Sequence, residues 1–303
     1  MNFDYRNYLH PRHWPTWVGI GILRLFGALP FAAQQVIGGT LGWLSYFVAR
    51  ERRRVARINL QLCFPELDEP TRERMLKENF IATGRGIVEL GSFWWMSDAE
   101  FRQRSTVYGQ EHLDLAMAEG NVLLLGVHFT CLESSVRALR VRGYHPQGMY
   151  KPAHDPLFED FMRAQRDKHY DNAMVPNRES KRFIKRLRGG RLSWYAPDQS
   201  FTRSVTYAPF FGIEVASLTA TSKIAKVGKA QVLPFFGIRN ASGNGFDIYI
   251  LPALKGFPSG DDVADATAVN RAMEAMIRYA PEQYMWGHRR FKHLANQQPN
   301  PYR

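Results

Sequence analysis

A short apolar run that ends in a histidine constrains the fold of this chain more than any other stretch. Residues 121–127 (NVLLLGV) have the length and the continuous Val/Leu content of a strand buried on both faces. His128 follows directly, and residues 134–142 have the composition of a helix. A strand, a turn and a helix are the repeating unit of α/β domains, whose ligand sites lie beyond the carboxyl ends of the strands. The sequence therefore predicts a functional site at His128.

Glu133, five residues after His128, is the first candidate partner of that histidine. The ordinary pKa of an imidazole is ~6.5, so this group can act as a general base. A carboxylate beside it can fix its tautomer and stabilise the imidazolium. On a regular helix such residues lie ~140° apart, so they can meet only if His128 lies in the turn before the helix. The alternative is a capping box, in which Thr130 is the N-cap and Glu133 reaches back to its N–H. His128 would then be an ordinary loop histidine.

Strands and helices alternate along the rest of the chain. We expect strands at 144–150, 192–196, 231–239 and 246–251, and helices at 71–96, 157–170, 181–188, 217–227 and 267–279. Such alternation predicts an α/β domain with a mixed or parallel sheet flanked by helices, which we place at residues 59–303.

Residues 17–49 form the most apolar part of the chain and are interrupted by Arg24 and Pro30. Proline suits the first position of a helix, so we expect one helix before Pro30 and another after it. A bilayer span needs about 20 apolar residues, and the first of these helices is shorter. Two other interpretations stay open: a helical hairpin buried in a soluble protein, and a secretory signal peptide, against which Arg24 argues.

Arginine is concentrated directly after this apolar segment, with five copies in residues 50–57 (RERRRVAR). Cationic flanks stay on the cytoplasmic side of a membrane and are attracted to anionic lipid. Tryptophan, here Trp14, Trp17 and Trp43, favours the interface between lipid and water. We therefore predict that residues 1–58 form an N-terminal hydrophobic helical membrane anchor with a basic flank.

The net charge of +12 indicates a negatively charged partner, such as nucleic acid, anionic lipid or an acidic carrier protein. A nucleic-acid-binding protein has no need of the apolar N-terminal segment, which argues against that class. The two cysteines, Cys63 and Cys131, are too few for a disulfide framework, and no cluster of Cys and His has metal-binding spacing. Cys131 is a weak candidate nucleophile because we expect it inside the first turn of a helix. The basic candidates for partner contacts are Lys181, Arg182, Lys185, Arg186, Arg188, Arg289, Arg290 and Lys292.

Five sequence blocks, in the same order, resemble the late acyltransferases of lipid A biosynthesis, the lauroyl/myristoyl-type enzymes of Gram-negative bacteria. The blocks are NLQLCFPE at 59–66, His128-x4-Glu133, Tyr150-Lys151-Pro152, WYAPDQ at 194–199 and APEQYMWGHRRFK at 280–292. The His-x4-Glu spacing alone is a weak signal, whereas five ordered blocks are a strong one. The resemblance extends from about residue 14 to the C-terminus.

This resemblance implies an acyltransferase-like α/β domain on the cytoplasmic side of the bacterial inner membrane. It implies transfer of a fatty acyl chain from acyl carrier protein to a hydroxyl of a Kdo-bearing lipid A precursor, in lipopolysaccharide or lipooligosaccharide biosynthesis. A thioester donor arrives activated, so we expect neither a metal nor another cofactor, and no nucleic-acid partner. The alternative is an acyltransferase of the same family that acts on a lysophospholipid or on another glycolipid.

The resemblance also implies roles for single residues. The family's catalytic His and Glu correspond to His128 and Glu133, its Arg to Arg166, and the Asp of its WYAPD block to Asp198. We expect His128 to take the proton of the acceptor hydroxyl, with Glu133 orienting its ring. We expect Arg166, held by Asp198, to stabilise the oxyanion of the tetrahedral intermediate. The alternative for Arg166 and Asp198 is an ordinary ion pair across the sheet edge.

The candidates for substrate binding are Lys151, Arg289 and Arg290. Lys151 stands where the family usually has Arg, which would weaken a bidentate phosphate contact if that residue makes one. Ser200 stands where a second acidic residue is common, so we assign it no catalytic role.

Overall fold

A seven-stranded mixed sheet forms the centre of the chain in a computed structural model that describes residues 3–170 and 174–303. Its strands are β1 (Ser105–Tyr108), β2 (Asn121–Leu125), β3 (Gln147–Tyr150), β4 (Met174–Pro176), β5 (Ser193–Tyr195), β8 (Ala230–Arg239) and β9 (Phe246–Ile250). Their order is β1-β9-β8-β2-β5-β3-β4, and every neighbouring pair is parallel except β8 with β9. Between β5 and β8, β6 (Val205–Phe210) and β7 (Ile213–Leu218) form a separate antiparallel hairpin.

Helices connect and flank these strands, which confirms the predicted α/β class with a mixed sheet. They are α1 (Trp14–Ala28), α2 (Phe31–Val48), α3 (Arg50–Cys63), α4 (Glu69–Trp95), α5 (Asp98–Gln103), α6 (Gln110–Glu119), α7 (Leu132–Arg140), α8 (Pro156–Tyr170), α9 (Ser180–Arg188), α10 (Ala220–Gly228) and α11 (Asp262–Tyr279). The predicted helix at 217–227 is wrong at its start, because its first two residues belong to β7. The sequence also did not predict β1 and β4, which have four and three residues, or the six-residue strands β6 and β7, which lack a continuous apolar run.

The apolar run of β2 is continuous because both faces of the sheet are covered by other side chains at this strand. Leu123 and Leu125 pack into one hydrophobic cluster, and Val122 and Leu124 pack into a second one on the opposite face. All four side chains are buried. Successive residues of a strand point to opposite faces, so a strand between two helical layers needs apolar residues at every position.

α1 and α2, together called the N-terminal hairpin, are joined at Leu29 and Pro30, and each packs against α4. α2 packs against α4 through glycines. A Cβ atom on Gly84 of α4 would lie 2.2 Å from the carbonyl oxygen of Gly38 and 2.4 Å from the backbone nitrogen of Gly42. Gly38 and Gly42 are four residues apart and lie on the same face of α2. Small residues let two helix backbones approach closely, so these three glycines set the distance between the helices.

Buried polar side chains add hydrogen bonds to this interface. Gln35 Nε2 donates to Glu89 Oε1 at 2.8 Å, and Ser92 Oγ donates to Gln34 Oε1 at 2.6 Å. Glu89 also accepts two hydrogen bonds from Arg239 of β8, at 2.6 and 2.7 Å. A buried carboxylate is tolerated when it is paired and hydrogen-bonded in this way. The Glu89–Arg239 pair therefore ties α2 and α4 to the sheet.

The outward faces of α1 and α2 are apolar and exposed. Their exposed side chains are Trp14, Val18, Ile22, Leu25, Leu29, Val36, Leu41, Trp43, Leu44, Phe47 and Val48. α1 has 15 residues and α2 has 18, and within residues 3–170 and 174–303 no helix is long and apolar enough to cross a bilayer. The predicted membrane anchor is therefore not supported as a span, and the inner faces of α1 and α2 pack on α4.

Candidate active site

His128 and Asp198 meet because they follow adjacent parallel strands. β2 and β5 pair directly, with Leu125 opposite Tyr195, so the two strands end at the same edge of the sheet. His128 lies three residues beyond the end of β2, and Asp198 lies three residues beyond the end of β5. This edge is where open α/β sheets place ligands.

Both carboxylate oxygens of Asp198 are engaged by His128. The ring Nδ1 of His128 lies 2.5 Å from Oδ1 of Asp198, and its backbone N–H donates to Oδ2 at 2.8 Å. The Asp198 side chain is 1% exposed and that of His128 is 22% exposed, so the carboxylate is shielded while the ring reaches solvent. The second ring nitrogen, Nε2, lies 3.5 Å from Nε2 of Gln199.

The charges of this pair stabilise each other. Burial by itself would lower the pKa of His128, but the negative charge of Asp198 and its hydrogen bond outweigh burial and raise that pKa. Burial would raise the pKa of Asp198, yet the contacts with His128 hold it below its ordinary value. An aspartate that accepts from Nδ1–H leaves Nε2 as the proton acceptor, so His128 has the tautomer of a general base.

The C-terminal segment holds the turn that carries His128. The carbonyl oxygen of His128 accepts from the Met285 N–H at 2.9 Å, and the Thr130 N–H donates to the carbonyl oxygen of Gln283 at 2.8 Å. Tyr284, in the same segment, interacts with the Asp198 carboxylate and helps to hold the pKa of that carboxyl below its ordinary value. These contacts fix both members of the pair relative to the end of β2.

Two buried asparagines fasten that segment to the helical layer. Asn59 Nδ2 donates to the carbonyl oxygens of Trp286 and His288 at 2.6 and 2.8 Å. Asn79 Nδ2 donates to the carbonyl oxygen of Tyr284 at 2.5 Å and also to that of Glu282. The sequence blocks at 59–66 and 280–292 are thus in direct contact. These contacts hold the C-terminal segment, which in turn holds the turn that carries His128.

Glu133 and Arg166 form a second ion pair at this edge of the sheet. Arg166 Nε donates to Glu133 Oε1 at 3.1 Å, and a terminal guanidinium nitrogen also contacts that oxygen. The side chains are 14% and 16% exposed, and the guanidinium lies 5.5 Å from the centre of the Tyr150 ring. α7 presents Glu133 from its first turn, and α8 presents Arg166.

The pairing of the four predicted catalytic residues therefore differs from the expectation. The sequence predicted that Glu133 orients His128 and that Asp198 holds Arg166, whereas in the structure Asp198 contacts His128 and Glu133 contacts Arg166. The physical reason is strand order: β5 lies beside β2, which brings Asp198 to the histidine ring. Helix α7 meanwhile turns Glu133 towards α8.

The capping-box interpretation of Glu133 is also wrong. α7 begins at Leu132 with Cys131 as its N-cap, and no side chain caps it. The hydroxyl of Thr130 instead accepts from Arg239 at 2.8 Å. The Cys131 thiol is buried, it donates to the carbonyl oxygen of Gly237, and burial raises its pKa to about 11. These properties do not suit a nucleophile.

Comparison with known proteins decides the family. The model of the bacterial lipid A biosynthesis acyltransferase family matches residues 2–293. The chain belongs to this family. The acyltransferase is 35% identical to the lipid A biosynthesis lauroyltransferase of Escherichia coli (strain K12), over 97% of this chain and 96% of the relative. The palmitoleoyltransferase of the same strain is 34% identical over 95% and 94% of the two chains, and the myristoyltransferase is 26% identical over 94% and 88%.

The three residues predicted to bind substrate have different surroundings in the acyltransferase. Lys151 is exposed just after β3, at the same sheet edge as the site. Arg289 is half-exposed and pairs with Glu51 of α3. Arg290 is buried, and it donates to the carbonyl oxygen of Ala216 at 2.8 Å. This contact with β7 makes Arg290 part of the fold and does not support its predicted role in substrate binding.

Three residues near the pair received no role from the sequence. Gln199 lies against His128, Tyr284 interacts with Asp198, and His288 accepts the Ser200 N–H at 2.9 Å. All three residues lie inside sequence blocks that resemble the family, and this position was the signal that the sequence offered for them. Within residues 3–170 and 174–303, no three His, Cys, Asp or Glu side chains are grouped so that they could hold a metal ion.

Proposed function

We propose that this acyltransferase moves a fatty acyl chain from acyl carrier protein to a hydroxyl of a Kdo-bearing lipid A precursor. The observation that carries the proposal is the His128–Asp198 pair, a base with a buried counter-charge at the ligand edge of the sheet. Family membership supports the lipid A acceptor. Relatives named for lauroyl and palmitoleoyl transfer support a long-chain acyl donor.

The proposed reaction needs one base and one stabiliser of negative charge. The acceptor hydroxyl oxygen attacks the thioester carbonyl carbon while Nε2 of His128 takes the hydroxyl proton. Asp198 stabilises the resulting imidazolium. The tetrahedral intermediate then collapses, the C–S bond breaks, and the departing sulfur of the carrier receives the proton from His128. The products are the acceptor ester and the free carrier thiol.

Arg166 is the proposed stabiliser of the oxyanion, and Glu133 is its positioning residue. A guanidinium that is largely shielded from water stabilises developing charge more strongly than an exposed one. Glu133 contacts this guanidinium, which limits the directions in which Arg166 can point. In this proposal Asp198 stabilises the charged form of His128, whereas Glu133 positions the guanidinium of Arg166.

The acidic donor protein and the membrane are proposed partners of two different surfaces. α9 buries Phe183 and Leu187 and turns its basic side chains outward, which suits an acidic carrier protein. The exposed apolar face of α1 and α2 is followed by the arginines of α3, which suits the cytoplasmic surface of the inner membrane. Residues 1–58 then bring the catalytic part, residues 59–303, to its lipid acceptor.

Acyl transfer from purified acyl carrier proteins of several chain lengths to the lipid A precursor tests this function. We expect the full-length protein to form the acylated precursor, and we expect His128→Ala to lose at least about 100-fold in rate. A lysophospholipid acceptor run in parallel distinguishes the alternative substrate. Transfer to the lysophospholipid without transfer to the lipid A precursor would overturn the proposed acceptor, and free fatty acid or acyl-coenzyme A as sole donor would overturn the proposed carrier.

A further inference from the structure

An open cavity of about 580 Å³ lies beside the His128–Asp198 pair, between α3, the loop after β5 and the C-terminal segment. Four cationic side chains line this cationic cavity, namely Arg52, Arg203, Arg289 and Lys292. Its lining, among the residues that the structure describes, includes no carboxylate. A concave surface with one sign of charge concentrates the field and attracts counter-ions.

The wall of the cavity is continuous with the catalytic pair. Asp198, Gln199 and Ser200 are consecutive: the first contacts His128 Nδ1, the second lies 3.5 Å from His128 Nε2, and the third lines the cavity. The Ser200 N–H donates to His288 Nε2 at 2.9 Å, and His288 also lines the cavity. A group bound in the cavity is therefore held close to the proton acceptor of His128.

Two of the four cations lack a partner within the described part of the chain. Arg289 pairs with Glu51, and Arg52 donates to the carbonyl oxygen of Gly287 at 3.1 Å. Arg203 and Lys292 are exposed, and no described residue forms an ion pair or a hydrogen bond with either side chain. Cations that converge on one cavity repel each other, and an anion in that cavity would remove the repulsion.

The chain passes from the apolar surface of α2 to the lining of the cavity within a few residues. Phe47 and Val48 at the end of α2 are 51% and 78% exposed, and Arg52 follows them in the first turn of α3. An apolar face that leads into a cationic cavity matches a molecule with acyl chains and an anionic headgroup. The volume lies in the range of small-molecule sites, whereas a helix of a carrier protein is about 10–12 Å wide and needs a groove.

We propose that the cationic cavity binds an anionic group, phosphate or sugar carboxylate, of the acceptor headgroup and thereby places the acceptor hydroxyl against His128. This inference rests on the proposed function, because it names where the glycolipid substrate of that function is held. Arg203 and Lys292 are the residues that contact the anion. α9 remains the surface for the carrier protein, so acceptor and donor approach the pair from different sides.

The test is the Arg203→Gln/Lys292→Gln double variant, assayed with saturating acyl carrier protein and a varied concentration of the lipid A precursor. Loss of a charged hydrogen bond costs about tenfold or more in affinity. We therefore expect the KM for the acceptor to rise at least about tenfold, with a much smaller change in kcat and an unchanged KM for the donor. Lys226→Gln/Arg271→Gln, which removes two exposed charges from α10 and α11, is the matched control and should behave as the unmodified protein.

Precursors that lack either the phosphates or the acidic sugars show which anionic group the cavity binds. If the cavity holds a phosphate, the double variant and the unmodified protein should differ little on dephosphorylated precursor. If the cavity holds the sugar carboxylate, that difference should disappear on precursor without the acidic sugars. An unchanged KM for the acceptor, or a rise confined to the KM for the donor, would overturn the proposal, and the second outcome would assign the cavity to the carrier protein.

Binding measured without donor keeps this inference separate from the proposed function. Micelles that contain the phosphorylated precursor are titrated into the full-length protein and into the double variant, and no acyl transfer is needed for the readout. Tighter binding by the unmodified protein supports the cavity even if the assay of the proposed function fails. Equal binding by both proteins overturns the cavity even if acyl transfer is observed.

Discussion

The basicity of His128 depends on a carboxylate that is almost completely shielded behind it. Asp198 is 1% exposed, so its charge is poorly screened by water and acts strongly on the imidazole 2.5 Å away. Tyr284 also interacts with this carboxylate and helps to lower its pKa. The buried Asp198 carboxylate therefore holds the His128 ring in one orientation before the substrate binds.

This arrangement predicts the pH dependence of acyl transfer. The base acts only when it is deprotonated, so kcat/KM should rise with pH through the pKa of His128, which Asp198 places above its ordinary value. In Asp198→Asn the charge is gone and burial dominates, so this pKa should fall and the acid limb should move to lower pH. The maximal rate should also fall, by about 100-fold or more. Rate profiles between about pH 5 and pH 9 measure both effects, and an acid limb that stays in place would contradict the pairing.

Because Glu133 contacts Arg166 and not His128, replacing Glu133 should affect the pH profile differently from replacing Asp198. Glu133→Gln keeps the shape of the side chain but removes the charge that positions Arg166, so kcat should fall while the acid limb of the pH profile stays in place. Arg166→Gln should lower kcat by about 100- to 1000-fold, and the double variant should be no worse than Arg166→Gln alone. Were Glu133 the partner of His128, Glu133→Gln would instead move the acid limb to lower pH.

At the scale of elements, α4 connects the N-terminal hairpin to the catalytic turn. The glycines of α4 pack against α2, and Glu89 of α4 pairs with Arg239 of β8. Arg239 in turn donates to the hydroxyl of Thr130, two residues after His128. A buried ion pair of this kind is costly to break, because either partner left alone would be an uncompensated charge. The hairpin, α4 and the turn therefore form one packed unit.

The helix interface predicts the effect of adding a single methyl group. In Gly84→Ala the new Cβ would meet backbone atoms at 2.2 and 2.4 Å, so α2 must move away from α4. We expect a loss of about 1–3 kcal/mol in the free energy of unfolding. Gly19→Ala in α1 is the matched control, because no described residue has an atom within 4 Å of the added Cβ, and it should be neutral or stabilising by up to about 1 kcal/mol. Thermal unfolding of both variants measures this, and equal melting temperatures would contradict the close packing.

On the scale of the whole molecule, the distribution of apolar and basic side chains gives the protein two distinct surfaces. The apolar face of α1 and α2 leads into the arginines of α3, and the cationic cavity opens beside them. α9 presents a separate basic surface further along the chain. The proposed lipid and carrier-protein partners would therefore bind at different surfaces.

The apolar face predicts how the protein attaches to lipid vesicles. Leu44→Gln/Phe47→Gln replaces two side chains of α2 that are 48% and 51% exposed, and it should weaken binding to anionic vesicles by about tenfold or more. Leu115→Gln/Val227→Gln replaces side chains of similar exposure outside the hairpin and should bind as the unmodified protein does. Vesicle flotation measures the bound fraction. If both double variants bind as the unmodified protein does, the hairpin is not the lipid-binding surface.

Local sequence patterns were sufficient for the elements that carry the site. The Val/Leu run of β2, the helical spacing of α8 and α9, and the chemistry of a histidine after a buried strand depend on residues close in sequence. The division of the apolar segment into one helix before Pro30 and another after it was also predictable, because proline acts on its own helix. The strands that were missed include β1 and β4, with four and three residues, and β6 and β7, whose six residues mix polar and apolar side chains without strict alternation.

Tertiary structure alone decided which carboxylate serves His128. Glu133 is five residues away and Asp198 is 70 residues away, so proximity in sequence favoured the wrong partner. The choice depends on the order of strands in the sheet, and hydrogen bonding between β2 and β5 is a long-range contact without a local signature. The same holds for the hairpin, since its apolar residues suit lipid or protein equally well. Only the position of α4 determines that one face of the hairpin is buried and that the other remains exposed.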